Sequence, residues 1–525
     1  MMPTLHKAKL RFATFFFHEL ETANVLYGKG KENIIEGLNK FDLEWANIQA
    51  AQDWIADQDG FVNLCNRFPD VGASLLAIRL HPKDRIRWLE AALSAARKLG
   101  DRTSQAVHLG NLGMAYSEMA LIKEALEHHE KALAIDRQLG NINGEATDLN
   151  NLGVINQYLG QYEKAYLCFE QARKLFVKSA DKKGEGLALT GFASVDISRG
   201  NYAIASENLK SALNIFRETA DPALEAKALN NLAMVCVRTG DNAQALVLYE
   251  QCLDLVRLIG DQRGEARVLG NLGLLHLSAG DLEKASTLLE DCLALSRLVQ
   301  DRQNISNALS NLGLLYASRG EYEQAIHYHQ QHLGLVQEIG YREGEVNALG
   351  NLGLAFSALG DYQKASQLCE KQLEISREIG DRRGESAALG NMGVVFKNLG
   401  NFDKALELYH LQLTLAREMS ERQIEGDALN NIGNVLLSTG RRAEAIPYHQ
   451  SAIRIYRELG NRRYEAISTF NLAIAYAEAR DYPQAIALGR SALAVCEQLQ
   501  DGNAGIIRNQ IMEWEQAFAS TKGEL

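Results

Sequence analysis

Proline is scarce, with six in 525 residues, so little in the chain interrupts a helix. Seven cysteines (Cys65, Cys168, Cys236, Cys252, Cys292, Cys369 and Cys496) form no CxxC pair and no even framework. That excludes a disulfide scaffold and a cysteine zinc site, and reduced thiols in the cytoplasm are the plain reading. Cys252 and Cys292 stand where other copies of the pattern below carry alanine, so they read as small buried hydrophobes. No run approaches the ~18 apolar residues of a membrane span, and the start, MMPTLHKAKLRF, lacks the apolar stretch of a secretion signal. Positive charge is in deficit: a formal net charge of -11 argues against nucleic acid as main partner. The phosphate cradle GxxxxGK[ST] is missing; Gly28-Lys29-Gly30-Lys31 has neither its spacing nor its hydroxyl. No cofactor is expected.

What is present is a phrase that returns every forty residues without an insertion. Asn111, Asn151, Asn231, Asn271, Asn311, Asn351, Asn391, Asn431 and Asn471 fall in one register, and Ala125, Ala165, Ala205 and their successors to Ala485 in another. Such a period means stacked supersecondary units, each burying its apolar face only against its neighbours. Within one copy, Leu389, Met392, Gly393 and Phe396 recur at i, i+3, i+4 and i+7, one buried helical stripe. Gly400 ends that helix and Asn401 caps a second one, in which Ala405, Tyr409 and Gln412 continue the inward face. Gly or Ala holds the Gly393 position and Ala the Ala405 position in all ten copies, small residues where two antiparallel helices approach. Gly380 and Asp381 repeat the stop-and-cap device between copies. Arg377 with Glu385, and Arg417 with Glu425, read as exposed pairs joining one copy to the next, each worth roughly 0–1 kcal/mol. Ala120 and Arg480 replace the turn glycine in the first and last copies, and Pro222 suits a helix start.

The order Leu, Leu, Gly, aromatic, Gly, Ala, aromatic, Ala resembles the tetratricopeptide repeat in a forty-residue version. The phrases "GNLGLAFSALGDYQKA" and "LEISREIGDRRGE" resemble the Pins family of spindle-orientation adaptors with Leu-Gly-Asn repeats, and "LNNLA" at 229–233 resembles kinesin light chain. The spacing of Trp45, Asn47, Ile48, Ala50, Ala51 and Trp54, with "RWLEAALSAARKLGD" at 87–101, resembles the segment that opens the repeat array of STAND signalling ATPases. The resemblance implies an all-α, right-handed α-solenoid of antiparallel helix pairs: a helical cap and partial repeat over 1–101, ten repeats over 102–500, and a capping helix with tail over 501–525. It implies a non-enzymatic adaptor binding a peptide or protein segment, or alternatively the sensor arm of a STAND-type ATPase without its nucleotide-binding domain.

In that family the first helix of each pair lines the concave face, which places candidate residues by register. The ladder Asn231, Asn271, Asn311, Asn351, Asn391 and Asn431, with Asn230 beside it, forms a rail of amides able to pair with a peptide backbone. Met234, Leu274, Leu314 and Leu354 form an apolar strip, a liability unless a ligand or a second copy covers it. Either the amides bond within the array, or some of them meet ligand. Lys227, Arg238 and Arg267 would hold an acidic side chain or a free carboxylate, or are ordinary solvated charge. Gly191, Asp196, Ser198 and Ala180 make the third copy irregular, a bend or drift. The pairs and triplets of histidine (His128 and His129; His327, His329 and His332) lack converging ligands for a metal. His129, His329 and His449 fall in a half-buried aromatic slot. No nucleophile sits on a sharp turn, and ten uninterrupted copies leave no active-site loop.

Overall fold

The periodicity becomes twenty helices in ten pairs, from Arg102–Glu118 with Ile122–Leu139 to Arg462–Glu478 with Tyr482–Gln498. We call these repeats 1 to 10 and the members of each pair helices A and B. Before them come α1 (Met2–Gly28), α2 (Glu32–Ala56), α3 (Val62–Val71), α4 (Ala73–Arg79) and α5 (Pro82–Leu99); a final helix, Ala504–Gly523, follows. The computed structural model describes residues 2–29, 32–119, 121–499 and 501–523. Ala120, Gly30, Lys31 and the last two residues of the expected tail lie outside them. The chain is an all-α solenoid, and contacts divide it into two compact units. The first is Met1–Val235 with Glu250–Gln262, the second Cys236–Tyr249 with Arg263–Leu525.

Seven of the ten pairs close where helix A has no side chain. A Cβ built on Gly393 would lie 2.6 Å from the Tyr409 ring, on Gly433 2.6 Å from His449, and on Gly153 2.7 Å from Phe169. The ring of helix B thus packs directly against the backbone of helix A. His129, His329 and His449 occupy this plate position and are 1%, 1% and 0% exposed, fully rather than half buried. Packing to this density is what fixes one helix against the next.

The caps behave as their residue types dictate. Asp381 accepts from the Gly384 amide at 2.8 Å and Asn401 from the Lys404 amide at 3.1 Å. Arg377 pairs with Glu385 at 2.7 Å and Arg417 with Glu425 at 2.9 Å. A second set ties the start of helix A to the end of helix B: Arg302 to Glu338, Arg382 to Glu418 and Arg422 to Glu458, at 2.8, 2.5 and 2.6 Å.

Four turns between repeats place a non-glycine residue in left-handed backbone: Ala180, Ala220, Gln300 and Ser420, with φ of 58°, 50°, 53° and 57°. Gly140, Gly340, Gly380 and Gly460 hold the same slot elsewhere. A Cβ there crowds the following carbonyl. Replacing Gln300 or Ser420 by glycine is expected to stabilise the protein by roughly 0.5–1 kcal/mol each. Urea unfolding midpoints would read this, and an unchanged or lowered midpoint would refute it.

The front of the chain builds its own core. Phe17, Phe41, Phe68 and Trp88 are buried together, and Trp45 stacks at 5.3 Å on Phe41 and 5.7 Å on Trp88. Ile259, from the turn after repeat 4, is buried in the same cluster. Arg79 holds Asp42 with two nitrogens at 3.0 Å and donates a third N–H to the Gly260 carbonyl at 2.7 Å. Burial, with the carboxylates of Asp221 and Asp261, pushes the Tyr27 phenol up to about 12. Within the first unit, then, the front helices grip a turn 181 residues further on.

Candidate functional site

The A helices carry the exposed stripe, and each unit has its own stretch. In the second unit, Leu274 and Leu314 are 36% and 38% exposed, while Leu354 is half-buried. They occupy one slot in repeats 5, 6 and 7, each three residues after a ladder asparagine, so the strip and the amide rail run side by side. In the first unit Met234 is half-buried, whereas Met114 and Val154 are 42% and 48% exposed. Beside these stand Val107 and Tyr158, 43% and 49% exposed. Val107 lies seven residues before Met114 and Tyr158 four after Val154, so helical spacing alone could have found them.

The ladder does two kinds of work. The Asn391 amide donates to Gln372 Oε1 at 3.1 Å, Asn351 to Ser310 Oγ at 3.5 Å, and Asn471 to Asn430 Oδ1 at 3.0 Å. Each acceptor belongs to the preceding repeat, so these three amides bond within the array. The acceptor changes for a steric reason. Where the residue before the ladder is Ser310 or Asn430, its own side chain accepts. Where it is Gly350, the vacated space holds Gln372, whose Nε2 lies 2.6 Å from the Cβ a larger residue would have. The Asn430 oxygen also takes a bond from Ser468 at 3.2 Å and faces His449 Nδ1 at 3.2 Å. Asn231, Asn271, Asn311 and Asn431 are partly exposed.

The basic residues divide between the units. Lys227, Asn230 and Asn231 belong to the first unit, Arg238 and Arg267 to the second. Lys227, Arg238 and Arg267 are all exposed. Burial raises the Tyr464 phenol, and the Arg238 charge opposes part of that shift, which sets Arg238 near the start of helix A of repeat 10. Arg267 has a counterpart in the second unit: Asp427 fills the same slot in repeat 9. Burial raises its carboxyl, against hydrogen bonds from the Tyr456 hydroxyl at 2.6 Å and Gln423 Nε2 at 3.2 Å. The strip of Leu314 and Leu354 therefore runs between a basic slot in repeat 5 and an acidic one in repeat 9.

Among the described residues no three His, Cys, Asp or Glu side chains are grouped to hold a metal ion, and no helix is long and apolar enough to cross a membrane. Burial pushes the Cys292 and Cys369 thiols up to about 11 and 12, away from the thiolate that nucleophilic chemistry needs.

The comparisons agree with this anatomy. The model of the tetratricopeptide repeat matches residues 86–138, 145–218, 224–297, 304–368, 357–418 and 425–498. No curated protein matches the chain. Among solved structures, a Rap protein complexed with competence and sporulation factor is 14% identical over 68% of this chain and 99% of its own, with a TM-score of 0.53. BtubC (BKLC) from P. vanneervenii is 22% identical over 40% of this chain and 88% of its own, with a TM-score of 0.36.

Proposed function

Because this chain belongs to the tetratricopeptide-repeat family, we propose that it is a non-enzymatic scaffold that captures a peptide or protein segment along the A helices of its second unit. The carrying observation is the strip of Leu274, Leu314 and Leu354 left open beside the ladder amides. Apolar side chains there give up water to an apolar anchor, at ~25 cal/mol per Å2 buried. The partly exposed amides of Asn311 and Asn431 can bond a backbone without selecting its side chains. Arg267 at one end and Asp427 at the other orient the segment, its acidic part or free carboxylate toward repeat 5. The Rap protein, alike in fold, is described in complex with a factor of its own, which favours the same mode of use. Arg238, in the same unit, is a further candidate contact; Lys227, Asn230, Asn231 and Met234 are candidates for a separate contact on the first unit.

A second reading, the sensor arm of a STAND-type ATPase, draws support from the front helices. There Phe12, Phe15, Ile35 and Leu43 are 39%, 56%, 50% and 80% exposed, an apolar face suited to an adjoining domain.

The test is selection from a displayed random-peptide library, followed by affinity measurement on the selected peptides. Leu314→Asp with Leu354→Asp is expected to weaken them at least ~10-fold, about 1.4 kcal/mol, and Arg267→Glu to weaken the acidic ones selectively. Undiminished affinity in the leucine double variant would remove the strip from the site.

A further inference from the structure

The residue at the end of helix B, one before each turn between repeats, is exposed at Leu139 and Ile379 (45% and 38%) and half-buried at Val299, Ile339, Met419 and Leu459. Leu499 fills that slot after repeat 10 and is 6% exposed. It is covered from far back in the chain. Its carbonyl accepts from Asn242 Nδ2 at 3.3 Å, across 257 residues, and its Cδ2 lies 3.3 Å from the Cβ position of Gly240. Three residues on, Gly502 meets Gly280 backbone to backbone: a Cβ built on Gly502 would be 3.5 Å from the Gly280 Cα. The equivalent turn glycines Gly160, Gly200, Gly320, Gly360, Gly400 and Gly440 have nothing within 4 Å of theirs. Two turns at the start of the second unit are thus seats for its end. Asp501 is fixed as well: 4% exposed, it pairs with Arg463 at 2.5 Å and accepts from the Asn503 amide and side chain at 2.9 and 2.7 Å.

We infer that Leu499 with Asp501, Gly502 and Asn503 is a clasp that closes the wall formed by repeats 5 to 10, and that its release widens the way to the inner face of this unit. The contact is made for reversibility. Among the described residues it rests on a leucine side chain, an amide hydrogen bond and a glycine-on-glycine approach, so it can part without unfolding a helix. Release moves the end of repeat 10 away from the turn at Gly240 while every A–B pair stays intact. Access to Leu314 and the ladder amides, already partial in the closed form, then rises with the population of open arcs. This gating rests on the binding role proposed for the inner face; the closure itself does not.

Nitroxide labels on cysteines at exposed Gln244 and Asn509, both in the second unit, report the clasp by pulsed dipolar spectroscopy. The wild type is expected to give a short, narrow distance distribution. Leu499→Asp should lengthen and broaden it at unchanged helical circular dichroism, and Asn242→Ala should shift it the same way by less. In parallel, N-ethylmaleimide is expected to modify a Leu314→Cys side chain several-fold faster in the Leu499→Asp background. An unaltered distance distribution in folded Leu499→Asp overturns the clasp, and an equal modification rate overturns the gate. Should Leu499→Asp lose its helical signal, Asn242→Ala decides both. No peptide enters these measurements, so their failure leaves the binding assay standing, and the reverse.

Discussion

Taking the protein from pH 7 to pH 5 is expected to remove about 2 kcal/mol of stability for each of His329, His332 and His449. Burial lowers all three to about 4, against about 6.5 in an unfolded chain. Between those values the unfolded chain holds the extra proton, so the contribution is complete above pH 6.5 and drains away as pH falls toward 4. The geometry says why no proton is welcome. His329 Nδ1, His332 Nδ1 and His449 Nε2 are buried, with no hydrogen-bond partner among the described residues. His108 is also lowered to about 4, but it faces Asp70, which burial raises to about 6. That carboxyl takes up a proton in the same window, and the pair largely cancels. Asp148 and Asp427, raised by burial, also act with opposite sign. The comparison that isolates the histidines sets the wild type against His329→Leu with His332→Ala. The second change restores the alanine that repeats 1, 2, 3, 9 and 10 carry in that slot. Urea midpoints at pH 7, 6 and 5 are expected to fall less steeply for the double variant; parallel slopes would defeat the idea.

Phe169→Ala is expected to cost about 3–5 kcal/mol, the range for removing a buried phenylalanine. Phe169 is fully buried, and its ring is pressed from two sides. A Cβ on Gly153 of its own repeat would lie 2.7 Å away, and one on Gly191 of the next repeat would overlap it outright. This accounts for one irregularity of the third copy, Gly191. The ring of Phe169 fills the place where a ladder side chain would start at 191; repeat 3 carries Leu209 in the ring's slot, and the asparagine returns at 231. Gly191→Asn alone should therefore destabilise by about 1–3 kcal/mol through overpacking. Combined with Phe169→Leu, part of that loss should return. Calorimetry or urea unfolding of the three variants measures the coupling, and strict additivity would show that ring and glycine are independent.

The repeats were legible because their signals are local. A glycine stop, an asparagine or aspartate cap and an i, i+4, i+7 stripe sit within one forty-residue copy, and every copy says the same thing. The register of Leu274, Leu314 and Leu354 followed from that. Contacts that break the repeat were not legible. Ile259 and Leu499 look like Ile379 in sequence, and only the fold shows that a distant partner covers them. The exchange of Ser310 for Gln372 as acceptor was likewise hidden, since it couples two helices through the empty volume over a glycine. The histidine plate was visible as a position, but its depth depends on how closely helix A can approach, which a single sequence does not encode.

The seating of Leu499 fixes the arithmetic of the array. An open solenoid gains or loses a copy by duplication or deletion and merely becomes longer or shorter. Here a copy added or removed between Gly280 and Leu499 would carry that leucine past the turns that receive it. The number of copies after Gly280 is thus set by geometry.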